Sequence, residues 1–384
     1  MKGIIVGGGI AGLTVAVALK WRGIGFEVHE AAPELKPVGA GIGLGPNAIH
    51  VFRVLGIEEV VRERSVEIRR AGLYDKSGRP VRLLSYREFL RREVVLGGAI
   101  HRAALQDVLL SRLGPGEVHL GRKCVSFTQD DSSVTAFFED GSSATGDILI
   151  GADGIRSAVR EQIHPRMPLR YSGQTCWRGI SDLHLPSKFR NMLMEVWGGA
   201  ARMGFIEVGR DRVYWFAVSL EPQGGRDDLA TVKQKLLGMF GDFTRPCPEL
   251  IEHTTADHII RSDLFDFRPV KKWSDRRVCL IGDAAHATTP NLGQGGCQAI
   301  EDALALSICI GKYDDVETAF RRFEKARSVK TSFVANNSWR LGKMAHYRGS
   351  LARRARDFVL RYLPAGIQRA QFHRIVDMSY LDRL

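Results

Sequence analysis

Long apolar runs are missing from this chain of 384 residues. No uninterrupted apolar stretch reaches roughly 18 residues, so we expect no transmembrane helix. The sequence also lacks internal repeats and low-complexity tracts. Apolar residues make up 44 % of the chain, which is enough to bury the cores of two domains.

Cysteine is scarce, and its spacing forms no motif. The absence of any C-x-x-C pair argues against a zinc site or a vicinal redox pair, and we expect no metal site. Scattered thiols of this kind are typical of a reducing, cytoplasmic setting. The six cysteines are Cys124, Cys176, Cys247, Cys279, Cys297 and Cys309.

Acidic residues are too few to balance the basic ones, and the formal net charge is +12. Residues 340–384 hold ten Lys or Arg against three Asp or Glu. Within them, residues 353–363 separate basic and apolar side chains on a helix, which allows a weak contact with a membrane surface. We favour the alternative that the apolar stripe docks on its own domain while the arginines stay solvated. No nucleic-acid-binding module accompanies the charge, so no nucleic-acid partner is expected.

Glycine is abundant, and its first cluster follows a short apolar strand. Gly7, Gly9 and Gly12 have the G-x-G-x-x-G spacing. The first permits a tight turn, the second lets a pyrophosphate approach the backbone, and the third lets the next helix pack on the sheet. That helix would direct the amides near Ile10 and Ala11 at the phosphates. The cluster predicts a dinucleotide site.

An acidic residue stands about 20 positions after these glycines, at the end of the next predicted strand. Glu30 would accept hydrogen bonds from a ribose, which favours FAD or NAD and disfavours NADP. A rival interpretation makes residues 3–19 the apolar core of a secretory signal cleaved after Ala18. We prefer the dinucleotide site, because such cleavage would delete the glycines and leave Glu30 behind.

A second glycine-rich segment lies about 270 residues further on. An apolar strand leads into Gly282 and Asp283, and Pro290 is followed by the run 293–296. A third strand, over 148–150, also ends in a glycine-containing loop. In parallel sheets the carboxyl ends of such strands face one crevice, so one long ligand gripped at both ends is expected. We interpret His286 as a packed loop residue.

Periodicity predicts how the chain is organised. From about residue 171 short alternating segments indicate an antiparallel sheet inserted into a nucleotide-type fold. Helices are predicted over 11–22, 47–62, 100–113, 229–240 and 297–310, and strands over 116–127, 134–140, 173–182, 192–197, 201–208, 212–219 and 277–281. We assign 1–70, 96–170 and 265–335 to a discontinuous cofactor domain, 71–95 and 171–264 to a substrate domain, and 336–384 to C-terminal helices.

Taken in order, these motifs resemble the flavoprotein aromatic monooxygenases of the p-hydroxybenzoate hydroxylase type. The resemblance spans nearly the whole chain. It rests on the first glycine cluster with Glu30, on Asp153-Gly154 with Arg160, and on Gly282-Asp283 with its following loop. It implies an α/β fold, with a Rossmann-like FAD-binding domain of the glutathione-reductase type, an inserted antiparallel β-sheet substrate domain and C-terminal helices.

The resemblance also implies which residues hold FAD. Arg102 and Gln106 match positions near the phosphates and the ribityl chain, Asp283 would bind the ribityl chain, and Pro290 would form a wall beside the flavin ring. The full expected set is Gly7, Gly9, Ile10, Ala11, Gly12, Glu30, Gly41, Arg102, Gln106, Asp153, Gly154, Gly282, Asp283, Pro290, Gly293, Gly295 and Gly296.

Within the family, the chain looks most like a single-component branch that includes urate hydroxylase, salicylate-type hydroxylases and zeaxanthin epoxidase. Arg202 and Tyr214 fall where urate hydroxylase has a substrate-contacting arginine and tyrosine, although the flanking residues differ. With Pro290 they are the expected catalytic residues.

The implied reaction consumes O2 and NADH or NADPH, the choice between the two being open. It hydroxylates or epoxidises a small aromatic or heteroaromatic substrate through a flavin C4a-hydroperoxide. A monomer or a homodimer is expected. Two alternatives stay open: a flavin-dependent reductase of prenyl lipids at a membrane surface, and a ligand-binding protein that keeps FAD without turnover.

Overall fold

The computed structural model describes residues 1–35, 40–86 and 97–384. Its strands are β1 (Lys2–Val6), β2 (Gly25–His29), β3 (Gly41–Leu44), β4 (Ser65–Glu67), β5 (Arg70–Asp75), β6 (Pro80–Ser85), β7 (Gly98–His101), β8 (Val118–His119), β9 (Cys124–Gln129), β10 (Val134–Phe138), β11 (Ser143–Gly146), β12 (Ile148–Gly151), β13 (Arg170–Ser181), β14 (Met192–Trp197), β15 (Ala201–Gly209), β16 (Arg212–Leu220), β17 (Ile260–Asp266), β18 (Ser274–Asp275) and β19 (Val278–Leu280).

The helices are α1 (Ile10–Trp21), α2 (Pro46–Val54), α3 (Glu58–Glu63), α4 (Arg102–Leu110), α5 (Ala158–Ile163), α6 (Val232–Phe240), α7 (Cys247–Glu252), α8 (Asp283–His286), α9 (Gly295–Lys312), α10 (Val316–Ala345), α11 (Ser350–Tyr362) and α12 (Ala365–Val376). None of the helices that the structure describes combines the length and the apolar character that a membrane span requires.

A six-stranded sheet carries the glycine-rich loops. Its order is β18-β19-β12-β1-β2-β8, and β1 pairs in parallel with both β2 and β12. Strands β12 and β19 are buried throughout and β1 is buried after Lys2, as expected for a sheet covered on both faces. Backbone hydrogen bonds from Ala152 N to Val6 O (2.8 Å) and from Ile281 N to Gly151 O (3.0 Å) hold the three strand ends side by side. The three loops therefore open at one edge.

A seven-stranded sheet lies beside this unit, in the order β17-β13-β16-β15-β14-β5-β6. Its pairs are antiparallel except β14 with β5. Side chains on one face pack with α6 and α7 in an apolar core of their own. The sheet memberships support our proposed division into a cofactor and a substrate domain, because β5, β6 and β13 to β17 share no sheet with β1.

Three local predictions from the sequence are wrong. The helix expected over 47–62 is two helices, because the chain turns at Gly56 with φ of 70°. The segment 116–127 holds two strands, and β8 and β9 belong to different sheets. The helix expected over 100–113 begins only at Arg102, since residues up to His101 pair with β3.

The prediction for the basic tail is also wrong. Most apolar side chains of α11 do not dock: Leu351, Phe358 and Tyr362 are exposed, whereas Leu360 is half-buried. An arginine is buried in their place, because Arg356 stacks on the Trp197 ring at 4.9 Å and donates to the Ala345 carbonyl at 3.1 Å. Residues 36–39 and 96 of the assigned cofactor domain and residues 87–95 of the assigned substrate domain lie outside the described residues.

Candidate active site

The first glycine loop is shaped by close backbone contacts. A methyl group at Gly12 would lie 1.8 Å from the Gly7 carbonyl oxygen. Gly7 itself has φ of 107°, which side chains rarely adopt. At Gly9, in contrast, no described atom lies within 4 Å of the position that a methyl would take. The loop is therefore tight on the protein side and open on the crevice side.

Two side chains hold this loop from either flank. The Glu30 carboxylate accepts hydrogen bonds from Gly8 N (2.6 Å) and Ala32 N (2.8 Å). Gln106 on α4 donates to the Gly8 carbonyl at 3.2 Å. Both residues predicted to bind the cofactor thus touch the loop. Contact of Glu30 with a ribose stays a prediction, as its carboxylate here supports the backbone.

The two glycine-rich segments meet in space. A methyl at Gly282 would lie 3.0 Å from the Ala11 Cβ. Asp302 on α9 fixes the second loop, because its Oδ2 accepts from Gly282 N (2.9 Å) and from His286 Nε2 (2.5 Å). His286 is buried, as expected of a packed loop residue. One ligand can therefore touch both segments.

Asp283 lies in a recess between these segments. Its side chain still reaches solvent. Desolvation by the surrounding protein raises the pKa of Asp283, although the positive charges of His286, Arg102 and Arg160 oppose the shift. This combination is typical of a carboxylate that lines a cleft. The predicted ribityl ligand Asp283 and the exposed Arg102 therefore lie on the same cleft.

The Asp-Gly motif joins the same region through Arg160. That guanidinium donates to the Ile155 carbonyl at 2.6 Å and to the Ala284 carbonyl at 3.3 Å, which ties the motif to α8. Asp153 Oδ2 accepts from Val159 N at 3.2 Å, at the start of α5. Burial raises the pKa of Asp153, and among the described residues its Oδ1 has no partner. The motif thus leaves one buried acceptor for a ligand.

The loop before α9 is exposed at both Pro290 and Gly293. Helix α9 begins at Gly295, and no side chain in the described chain caps its first turn. Strand β3 runs beside it, since a methyl at Gly296 would lie 2.7 Å from the Ile42 Cδ1. The free amides and the positive dipole end at the start of α9 can therefore stabilise negative charge on a ligand.

Gly41, a predicted cofactor residue, lies against the substrate sheet. A methyl there would lie 2.5 Å from the Tyr214 Cγ, so the missing side chain makes room for that ring. A direct cofactor contact of Gly41 stays a prediction. The observed contact joins β3 to the substrate sheet.

Sequence reasoning missed a buried charge network behind α9. Arg327 is fully buried and donates to Glu301 Oε2 (2.6 Å) and Asp302 Oδ1 (2.7 Å). Lys330 also donates to Glu301, at 2.7 Å, and Asn47 joins it from α2. The signal in the sequence was the pair of adjacent acids, Glu301 and Asp302, within the mostly apolar segment of α9. The network fixes the helix whose start faces the crevice.

The second face of the seven-stranded sheet turns toward this crevice. Strand register puts residues that lie opposite one another on the same face, and Arg202, Gly204 and Ile206 lie opposite Val218, Phe216 and Tyr214. The same register extends the face across β13 and β14. Its members with polar or aromatic side chains are Gln174, Arg178, Glu195, Trp197, Arg202, Tyr214 and Phe216.

Arg202 joins this face to the loop of Pro290. The side chain is 3 % exposed. One guanidinium nitrogen donates to the Glu195 carboxylate and the other to the side-chain carbonyl of Asn291. Its Nε has no partner among the described residues. The predicted catalytic residues Arg202 and Pro290 therefore lie close together, and Arg202 keeps one donor free.

Tyr214 belongs to the same face as a second arginine, Arg178. Burial raises the pKa of Tyr214, although the positive charge of Arg178 opposes the shift. The phenol therefore stays neutral near pH 7 and keeps its proton. The site thus holds a neutral phenol beside a cation.

Two more buried polar groups complete this corner. Gln174 donates to the Gly342 carbonyl at 2.9 Å and lies 3.3 Å from His346 Nδ1. Gln174 Oε1 and His346 Nε2 have no partner among the described residues. Burial and the charge of Arg202 lower the pKa of His346 to about 4, so the ring is neutral. Sequence reasoning missed both residues, since neither lies in a motif.

FAD fits these residues. The open space at Gly9, the unpartnered oxygen of Asp153 and the uncapped start of α9 lie along one crevice. They offer, in order, room for a pyrophosphate, an acceptor along the middle and amide donors at the ring end.

Comparison with known proteins agrees. Residues 1–313 match the family model described as FAD binding domain. The chain is 36 % identical over 360 residues to the aurachin C monooxygenase/isomerase of Stigmatella aurantiaca, covering 94 % of both chains. It is 34 % identical over 329 residues to the FAD-dependent urate hydroxylase of Klebsiella pneumoniae, covering 85 % of this chain and 86 % of that one.

A solved structure is similar over its whole length. The crystal structure of Klebsiella pneumoniae HpxO complexed with FAD and uric acid has a TM-score of 0.90 at 30 % identity, covering 98 % of this chain and 96 % of that one. The predicted fold class and the FAD cofactor are thereby confirmed. The chain belongs to the FAD-binding-domain family and is an FAD-dependent monooxygenase.

Proposed function

We propose that this enzyme uses O2 and NADH or NADPH to hydroxylate or epoxidise a small aromatic or heteroaromatic compound. The substrate would lie between the loop 290–296 and the polar face of the seven-stranded sheet. The observation that carries the proposal is Arg202: it is buried, it bridges sheet and loop, and its Nε is free among the described residues.

Donors and acceptors at this face favour a polar ring as substrate. Arg202 offers an N–H and Tyr214 an O–H, whereas Gln174 offers a carbonyl oxygen. Such a set suits a heterocycle that carries both carbonyl and N–H groups. The relative named for urate supports a substrate of this class.

Bound FAD would supply the oxygen transfer, which in this proposal passes through its C4a-hydroperoxide. The residues of the chain have other tasks. Asp283 and Gln106 would hold the cofactor, the start of α9 would stabilise negative charge on the ring, and Pro290 would wall off water. Tyr214 would hold a proton for the substrate at its phenol oxygen.

The setting in the cell and the assembly are part of the proposal. All six cysteines are free and buried, which supports a reducing cytoplasmic compartment. We keep both a monomer and a homodimer as expectations.

The test is turnover of the purified chain. We expect a flavin absorption spectrum, and substrate-dependent NAD(P)H oxidation matched by O2 uptake for at least one member of an aromatic and heteroaromatic panel. Reduction of an isoprenoid double bond without O2 uptake would instead support the prenyl-lipid reductase. Stoichiometric FAD with tight ligand binding and no turnover would support the non-catalytic alternative.

A further inference from the structure

Helix α11 presents an apolar face that nothing in the described chain covers. Leu351, Phe358 and Tyr362 recur at the spacing of one helix face and are 79 %, 65 % and 65 % exposed. Val359 beside them is 58 % exposed. Isolated exposed apolar residues are normal, but four on one helix form a continuous ridge.

The opposite side of α11 is anchored, so this orientation is built into the fold. Arg356 is buried against Trp197, and its Nη2 pairs with Asp357 at 2.8 Å. On the hairpin of β5 and β6, Arg82 donates to the Arg361 carbonyl at 2.9 Å and to Gln368 at 2.7 Å. Helices α11 and α12 are therefore held at the sheet, with the ridge turned outward.

Basic residues accompany the ridge. Arg354 on α11 and Arg348 just before the helix are exposed, and the acidic neighbour Asp357 is already paired with Arg356. A second copy of this surface would bring like charges together, which disfavours self-association. A shallow apolar ridge with a cationic flank matches an anionic lipid surface, where apolar side chains enter the acyl boundary and arginines meet the headgroups.

We propose that α11 docks the enzyme on anionic membranes through Leu351, Phe358, Val359 and Tyr362. The contact is peripheral and independent of the reaction that the enzyme catalyses. It sets the end of β14 at Trp197 near the lipid surface.

The experiment is co-sedimentation of the FAD-loaded full chain with vesicles. Neutral vesicles of phosphatidylcholine are compared with anionic vesicles that contain equal amounts of phosphatidylcholine and phosphatidylglycerol. We expect binding to the anionic vesicles only, weakened by added salt. Replacing Phe358 and Tyr362 together by Ser should lower the partition coefficient about tenfold or more. Arg348→Gln and Arg354→Gln should each lower it about fivefold.

Matched controls are Val329→Ser and Leu229→Ser, which remove exposed apolar side chains elsewhere and should leave binding unchanged. Retained FAD absorbance shows that each variant is folded. If the Phe358 and Tyr362 double variant does not fold, Leu351→Ser replaces it as the test of the ridge. Equal binding to both vesicle types, unchanged binding of the folded ridge variants, or a dimer in solution that these variants dissociate would each overturn the proposal.

Discussion

The two faces of the seven-stranded sheet are built from alternate residues of the same strands, yet they differ in every physical respect. On one face, Trp177, Phe205 and Trp215 are fully buried against α6 and α7. On the other, Arg202 donates to Glu195 and Asn291 but keeps an Nε without a partner among the described residues, and Tyr214 lies on the same face. The first face contributes stability through apolar burial, whereas the second leaves polar atoms unpaired and ready for a ligand.

Neighbouring residues on β16 illustrate the difference. Trp215 and Tyr214 are consecutive, and both are aromatic. The Trp215 indole donates to Thr254 Oγ1 at 2.8 Å inside the core, whereas the Tyr214 ring packs over Gly41. Strand alternation therefore separates a structural from a functional residue at adjacent positions.

The largest effect is expected on the covered face. Trp215→Ala should lower the free energy of unfolding by about 3–5 kcal/mol, because it leaves a large cavity and removes the donor that Thr254 Oγ1 accepts from. Urea denaturation monitored by circular dichroism measures it. A loss below about 1 kcal/mol would mean that this face is not a packed core.

Acid should weaken the protein through the crevice face. His346 stays neutral when folded, with its pKa lowered to about 4, whereas the unfolded chain has the ordinary value of 6.5. The unfolded state binds more protons between these values, so stability is fully present above pH 6.5 and falls as the pH decreases. We expect His346 to account for a loss of about 2 kcal/mol between pH 7 and pH 5, besides the loss from His29, whose pKa burial also lowers to about 4. His346→Gln should reduce this slope in denaturation curves by the part due to His346; an unchanged slope would contradict the assignment.

The cofactor loop opposite this face gives the next test. Asp283→Ala should weaken FAD binding by about 2 kcal/mol, roughly thirtyfold in Kd, because a charged acceptor for a cofactor hydroxyl is lost. Titration of the apoprotein with FAD measures the affinity. The control is Asp242→Ala, which removes an exposed carboxylate that pairs with Lys76, just after β5 of the substrate sheet. Full FAD retention by Asp283→Ala would count against the ribityl assignment.

Tyr214→Phe should have the smallest effect on stability and a modest one on turnover. It removes only the hydroxyl, so kcat/KM should fall about fivefold while the free energy of unfolding changes by less than about 1 kcal/mol. Steady-state kinetics with denaturation curves measures both. A stability loss like that of Trp215→Ala would return Tyr214 to the core.

The cofactor half could be predicted because its signals are local. Gly7, Gly12 and Glu30 have roles set by neighbours within one βαβ unit, and the meeting of Gly282 with Ala11 follows from parallel strand ends. The break at Gly56 was missed because apolar periodicity continued across it.

The rest depended on partners that are distant in sequence. Arg327 meets Asp302 across two helices, and Asn291 meets Arg202 across two domains of the proposed division. The tail was predicted the wrong way round, because periodicity separates two faces of α11 but does not tell which one docks. The face that docks is the one with Arg356, because its guanidinium stacks on the Trp197 ring.

Arg202→Ala tests the central claim most directly, by measurement of substrate-dependent O2 uptake in the FAD-loaded enzyme. The variant should retain stoichiometric FAD and lose about thirtyfold or more in kcat/KM, since a charged hydrogen bond at the substrate is removed. Arg210→Ala, on the exposed end of the same sheet, should behave as the wild type. Unchanged kinetics of Arg202→Ala would contradict the assignment of the crevice face as the substrate site.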